Sequence, residues 1–190
     1  MDPRDAQFWA RQMHEHCTLI AAALDPGSPF KKIAAGLAVS WQNPSGVKLL
    51  DQTIEFKTEV LRTAQTSWIG WLAPDFYHHV LEEAVYFRRL IADDVTSSEE
   101  LAIWREILSE HAISIGAMVD PSRRSLILRG FQVGDMAKRS RNVSLASRDV
   151  ERFLQSTARV PSTIPKILRD HAIAEGVHFR EVVMTRAMGR

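Results

Sequence analysis

Cysteine is almost missing from this chain, Cys17 being the only one in 190 residues. A disulfide within the chain and a Cys-rich zinc site are therefore both excluded. Long hydrophobic runs are missing too, since no stretch approaches the roughly 20 apolar residues that span a bilayer. The opening residues, MDPRDAQFW, lack the basic segment and apolar run of a secretory leader. With the single thiol, this points to a reducing, cytoplasmic setting. Surplus charge of one sign is absent: 24 basic and 23 acidic residues leave a formal net charge of +1. Such a balance gives no global attraction to nucleic acid or to an anionic membrane. Period-two alternation is scarce and the β-branched residues are scattered, so no sheet is expected. Walker loops, dinucleotide fingerprints and nucleophile elbows do not occur. What remains is 45% hydrophobic and 25% charged, enough to bury a core without covalent staples.

Helical periodicity fills the space these absences leave. Asp2-Pro3 reads as a cap and first-turn proline, followed by an apolar stripe of Trp9, Met13, His16, Ile20 and Leu24 that stops at Asp25-Pro26-Gly27. A second helix is expected over 28–41 and a long amphipathic one over 47–71, separated by Asn43-Pro44-Ser45-Gly46. Pro74-Asp75 restarts the chain. Residues 93–98 are the most linker-like stretch, with a capping-box pattern from Ser97 to Glu100. Beyond it the order repeats: a helix through Trp104 and His111, an Asp-Pro stop, a middle segment interrupted near 141–147, punctuation at 161–165, and a final helix. The expectation is an all-α bundle of about six helices in two pseudo-symmetric halves, 1–92 and 99–190, packed as one compact body.

The repeat is visible residue by residue. Residues 8–26 overlay 103–121 without a gap, sharing Trp9/Trp104, Glu15-His16/Glu110-His111, Ile20/Ile115, Ala22/Ala117 and the closing Asp-Pro. Residues 75–91 overlay 167–183, with His79, Glu83, Val85, Phe87 and Arg88 in register with His171, Glu175, Val177, Phe179 and Arg180. All seven histidines fall inside these four segments.

The motifs resemble those of a ferritin-like family of bacterial proteins classed as a domain of unknown function, some of whose members carry a spore-coat label. Its repeated signature is similar to F-W-x-R-x-M-x-E-H followed by H-x-x-x-E-A-x-x-[YF]. The first half matches at Phe8-Trp9-x-Arg11-x-Met13-x-Glu15-His16 and His79-x-x-x-Glu83-Ala84-x-x-Tyr86. The second is looser, at Ile103-Trp104, Leu108, Glu110-His111 and His171-x-x-x-Glu175-Gly176. The resemblance spans nearly the whole chain. It implies a ferritin-like helical fold with inward-facing metal ligands and no established reaction.

Chemistry points the same way. Each half supplies one His on the apolar stripe of its first helix, His16 or His111, and a His-x-x-x-Glu pair on its last, His79/Glu83 or His171/Glu175. Residues four apart share a helix face. Two imidazoles and a carboxylate are the donor set that leaves open positions on non-haem iron, and a carboxylate among apolar neighbours needs a cation or hydrogen-bond partners. Arg88 and Arg180 are the alternative partners. Glu15 and Glu110, rotated about 100° from the adjacent histidines, are candidates for a second ion or for orienting an imidazole. Glu175-x-x-His178 fits the di-iron pattern, whereas Glu83-x-x-Tyr86 does not. Glu55 and Glu151 are weaker candidates, and His14 and His78, without counterparts, read as surface residues. Cys17 reads as a small buried residue.

The expected ligand is a transition metal, iron or manganese in preference to zinc. An oxidoreductase acting on oxygen or peroxide is weighed against a structural, coat-like or interaction protein. The arginine-rich segment 122–152 has no interleaved stacking aromatics, so a solvated helix face is preferred there to a nucleic-acid surface. The five tryptophans are expected in the core or at a subunit contact, which leaves a homodimer open.

Overall fold

The computed structural model describes residues 2–159 and 164–185. Among them the protein is all-α: eight α-helices, a π-helical turn, and no strand beyond one isolated antiparallel bridge between Leu24 and Gly70. The chain divides into two compact units, Met1–Val95 and Thr96–Arg190.

In the first unit, α1 (Pro3–Ala23) starts where the sequence places it, with the Asp2 carboxylate accepting from Arg4 N at 2.8 Å and Pro3 in the first turn. The stripe Trp9, Met13, His16, Ile20 and Leu24 is buried throughout. α2 (Pro29–Ser40) is short, and α3 (Val47–Ala64) ends seven residues before the expected Trp71. Tertiary pairing ends α3 early: Asp25 N donates to Ile69 O and Trp71 N to Ala23 O. Gly70 is required in that bridge, because a Cβ there would lie 2.2 Å from the Ala23 carbonyl oxygen. α4 (Pro74–Ile91) packs on α1 through aromatics, Trp9 stacking on Phe87 at 5.9 Å and meeting Tyr86 edge-on at 5.4 Å. Truncating a fully buried Trp of this kind typically costs about 3–5 kcal/mol.

In the second unit, α5 (Ser97–Ala117) begins with a capping box one residue earlier than expected, between Thr96 and Glu99. Glu100 is unavailable for capping because it lies on the buried face, one turn before Trp104. α6 (Arg124–Arg139) crosses α5 at a glycine contact, where a Cβ on Gly130 would meet Gly116 Cα at 2.8 Å. α7 (Val143–Thr157) follows a short break, and α8 (Lys166–His178) continues as a π-helical turn, Phe179–Val183. The described residues hold eight helices where about six were expected, and the breaks between α2 and α3 and between α6 and α7 fall close to the expected interruptions at 43–46 and 141–147. Residues 160–163, and with them most of the expected 161–165 punctuation, lie outside the described residues.

Candidate metal centre

In the first unit two helices, α1 and α4, meet at Glu83. Its place on α4 lies among the buried Val80, Ala84 and Phe87, so the carboxylate enters the core whatever its charge. A bare carboxylate there would be costly, and two imidazoles meet it. His79, one turn earlier on α4, places Nε2 3.0 Å from Oε1. His16, from the buried stripe of α1, places Nε2 2.9 Å from Oε2. Burial alone would raise the Glu83 carboxyl, but the charges of His79 and His16 and the hydrogen bonds from both outweigh it. The group is held well below the usual carboxylate range.

The second unit builds the same arrangement from α5 and α8. Glu175 is fully buried. His111 Nε2 lies 3.2 Å from its Oε2, and His171 Nε2 lies 3.3 Å from its Oε1. The two rings meet edge-on, 5.9 Å apart at 85°. α8 is fixed at this level from α7, where Ser147 Oγ donates to Gly176 O at 3.1 Å and accepts from Arg180 at 2.9 Å. Trp104 on α5 packs against His178 and Phe179, at 6.1 and 5.4 Å.

These donors fit a metal ion. Cis ligands about 2.1 Å from a common ion sit roughly 3.0 Å apart, and the four imidazole–carboxylate distances run from 2.9 to 3.3 Å. They are hydrogen-bonding distances as well, so protons on the imidazoles can hold each cluster together without an ion. Each glutamate offers its two oxygens to different imidazoles, which suits either one chelated ion or a carboxylate shared between two.

Among the described residues, the side chains that could take part in holding an ion are His16, His79 and Glu83 in the first unit and His111, His171 and Glu175 in the second. The other sequence candidates do not join them. Glu15 accepts from Arg11 Nε at 2.8 Å, Glu110 is half-buried, and His178 lies against Trp104.

No family model matches the chain. It is 27% identical to an uncharacterized protein, L567, of Acanthamoeba polyphaga mimivirus, over 65% of this chain and 49% of that protein. It is 23% identical to the spore coat protein CotB of Clostridioides difficile, over 76% of this chain and 58% of that one. The chain thus spans about half the length of the curated relatives it matches. Among solved structures, an uncharacterized protein from Bacillus cereus G9241 superposes with a TM-score of 0.74, over 97% of this chain and 90% of that one. At 14% identity, that likeness shows the fold alone.

The remaining candidates have structural roles. Arg88 donates to Asp51 at 2.9 Å, and Arg180 to Ser147 and Glu151. Glu55 is exposed and Glu151 is half-buried against Arg180. His78 is exposed beside Glu82, but His14 is half-buried, its Nδ1 2.7 Å from the Ala38 carbonyl. The basic side chains of segment 122–152 are exposed, several of them paired: Lys138 with Glu106, Arg139 with Asp135 and Arg152 with Asp149. Trp9, Trp41 and Trp104 are buried, whereas Trp68 and Trp71 are exposed. Among the described residues no helix is long and apolar enough to cross a membrane.

Sequence reasoning misses Lys57. It is 1% exposed on α3, with Nζ 2.9 Å from His16 Nδ1, 2.7 Å from Val80 O and 3.5 Å from Met13 Sδ. A signal is present, because Lys57 stands in the apolar row of α3 with Leu50, Thr53, Val60 and Leu61.

Proposed function

We propose that this protein is a transition-metal-binding helical bundle of the ferritin-like kind, formed by duplication of a four-helix half and working in a reducing compartment. His16, His79 and Glu83, with His111, His171 and Glu175, hold one or two ions, iron or manganese before zinc. The observation that carries this reading is the pair of buried carboxylates, each flanked by two imidazole Nε2 atoms at ligand spacing. Duplication is supported by the same His and His-x-x-x-Glu placement, with the same atom pairs, in both units.

Two imidazoles and a carboxylate leave an octahedral ion with open positions, and such an ion supplies redox chemistry with oxygen or peroxide as electron acceptor. On that ground the first function we assign is a non-haem oxidoreductase. The carboxylates would offset part of the charge of the ion, and the surrounding apolar side chains limit water. The second reading is a structural, coat-like protein whose ion fixes the bundle, favoured by the name of the clostridial relative.

Loading the protein anaerobically with iron(II) and admitting air separates the two. The oxidoreductase reading expects a new absorption band within minutes, lost in Glu83→Ala or Glu175→Ala. Iron(II) protein unchanged for hours in air decides for the structural role.

A further inference from the structure

His14 precedes His16 by two positions, about 200° around a helix, so it points to the other side of α1. There it lines a cleft of about 540 Å³, together with Ala6, Ala10, Trp41 and Pro44. A second hollow of about 230 Å³ adjoins it, sharing those two alanines, Trp41 and Pro44 and reaching Leu50, Phe87 and Ile91. Both lie within the first unit. Sites for small molecules typically occupy roughly 300–1,000 Å³ and combine apolar walls with a few polar groups.

That division is present here. Trp41 is buried and its indole N–H donates to Thr53 Oγ1 at 2.9 Å, so the ring carbons are what it offers to the cleft. The polar side chains that line it are Gln7, Arg11, His14 and Gln42. None of them is acidic, and Arg11 is the one that is always charged. Arg11 gives its Nε to Glu15, which leaves the terminal N–H groups of the guanidinium as donors. A carbonyl only accepts, so His14 donates Nδ1–H to Ala38 O, 2.7 Å away in the last turn of α2. The imidazole thus stands between α1 and α2 as a fixed wall of the cleft.

The second unit lacks these features. In the overlay of 8–26 on 103–121, Arg11 corresponds to Glu106 and His14 to Ser109. Glu106 pairs with Lys138 of α6 at 3.0 Å. Ser109 is buried, and a Cβ on Gly134 of α6 would come 2.9 Å from its carbonyl oxygen. Backbone therefore meets backbone at the level where, in the first unit, an imidazole stands between the two helices. The cation and the wall of the cleft belong to one copy of the repeat and not to its shared packing.

We propose that this cleft binds a small amphipathic carboxylate, its apolar body against Ala6, Ala10 and Trp41 and its carboxylate on Arg11. A guanidinium is the side chain best matched to a carboxylate, and the apolar walls continue beyond the polar rim for a hydrocarbon chain or ring. The site is separate from the metal ligands and does not rest on the metal reading.

The test is calorimetric titration of the full chain with octanoate, octanol and octylammonium, after chelator treatment so that no ion competes for the carboxylate. Octanoate should bind at one equivalent, about tenfold tighter than octanol, as hydrogen bonds to a charged group require, and octylammonium should bind no better than octanol. Arg11→Gln should bring octanoate to the affinity of octanol and leave octanol unchanged. Ala10→Leu, which fills the cleft, should abolish binding of both while the helical circular dichroism is retained. No binding of octanoate would overturn the inference, as would octanoate bound no tighter than octanol, an Arg11→Gln protein unchanged toward octanoate, or undiminished binding in Ala10→Leu. Should Ala10→Leu fail to fold, the exposed Arg11 still decides through its own variant.

Discussion

Glu83 and Glu175 anchor the proposed metal site of each unit, and both are legible in the sequence itself. A His-x-x-x-Glu pair on an otherwise apolar helix face, occurring twice in register, is hard to place except inward. Their partners His16 and His111 are legible for the same reason, each lying on a stripe that begins at a tryptophan. Lys57 is not, because a lysine beside an apolar row usually extends its head to water, and only the depth of α3 against α1 and α4 prevents that here. Glu15, Glu110 and His178 are drawn in by adjacency along the chain, but adjacent residues diverge around the helix and the three do not reach the cluster. Cys17, next to His16, gives a test at this scale. It is fully buried, and burial, opposed in part by the Lys57 charge, pushes its thiol up to about 11. The thiolate is the reactive form, so alkylation by iodoacetamide at pH 8 should be slow in the native protein and rapid in urea. Equally fast modification in both would show that the α1 stripe is not packed as described.

At the scale of elements, the starts of the helices are easier to read than their ends. Asp2-Pro3 caps α1 as the sequence indicates. The end of α3 is hidden because the Leu24–Gly70 bridge depends on residues far apart in the chain. The α5 cap is displaced by one residue since Thr96-x-x-Glu99 and Ser97-x-x-Glu100 both satisfy the pattern, and burial of Glu100 chooses between them. That choice is measurable. Thr96 Oγ1 accepts from Glu99 N at 3.3 Å, and Glu99 returns the bond to Thr96 N at 2.9 Å. Thr96→Ala should cost about 1 kcal/mol in denaturant unfolding, and Ser97→Ala should cost much less. The reverse order would restore the later start. The π-helical turn after His178 has no sequence signal, although such turns frequently sit next to functional residues. Here it brings Phe179 onto Trp104, beside the helix that carries Glu175.

For the whole molecule, the all-α class follows from periodicity and from the lack of alternation, and the linker-like residues 93–98 bracket the boundary between the two compact units. What the centre binds follows from neither. A unit whose core takes in a carboxylate and two imidazoles gives up apolar packing, and a bound ion returns stability that grows with the ratio of its concentration to its dissociation constant. The most direct measurement is elemental analysis of the protein purified without a histidine tag, beside a Glu83→Ala, Glu175→Ala double variant that retains its helical circular dichroism. One or two equivalents of iron or manganese per chain are predicted in the unmodified protein and almost none in the variant. Equal metal content in the two, or a folded unmodified protein that takes up no metal even when incubated with iron(II) or manganese(II), would contradict the metal reading.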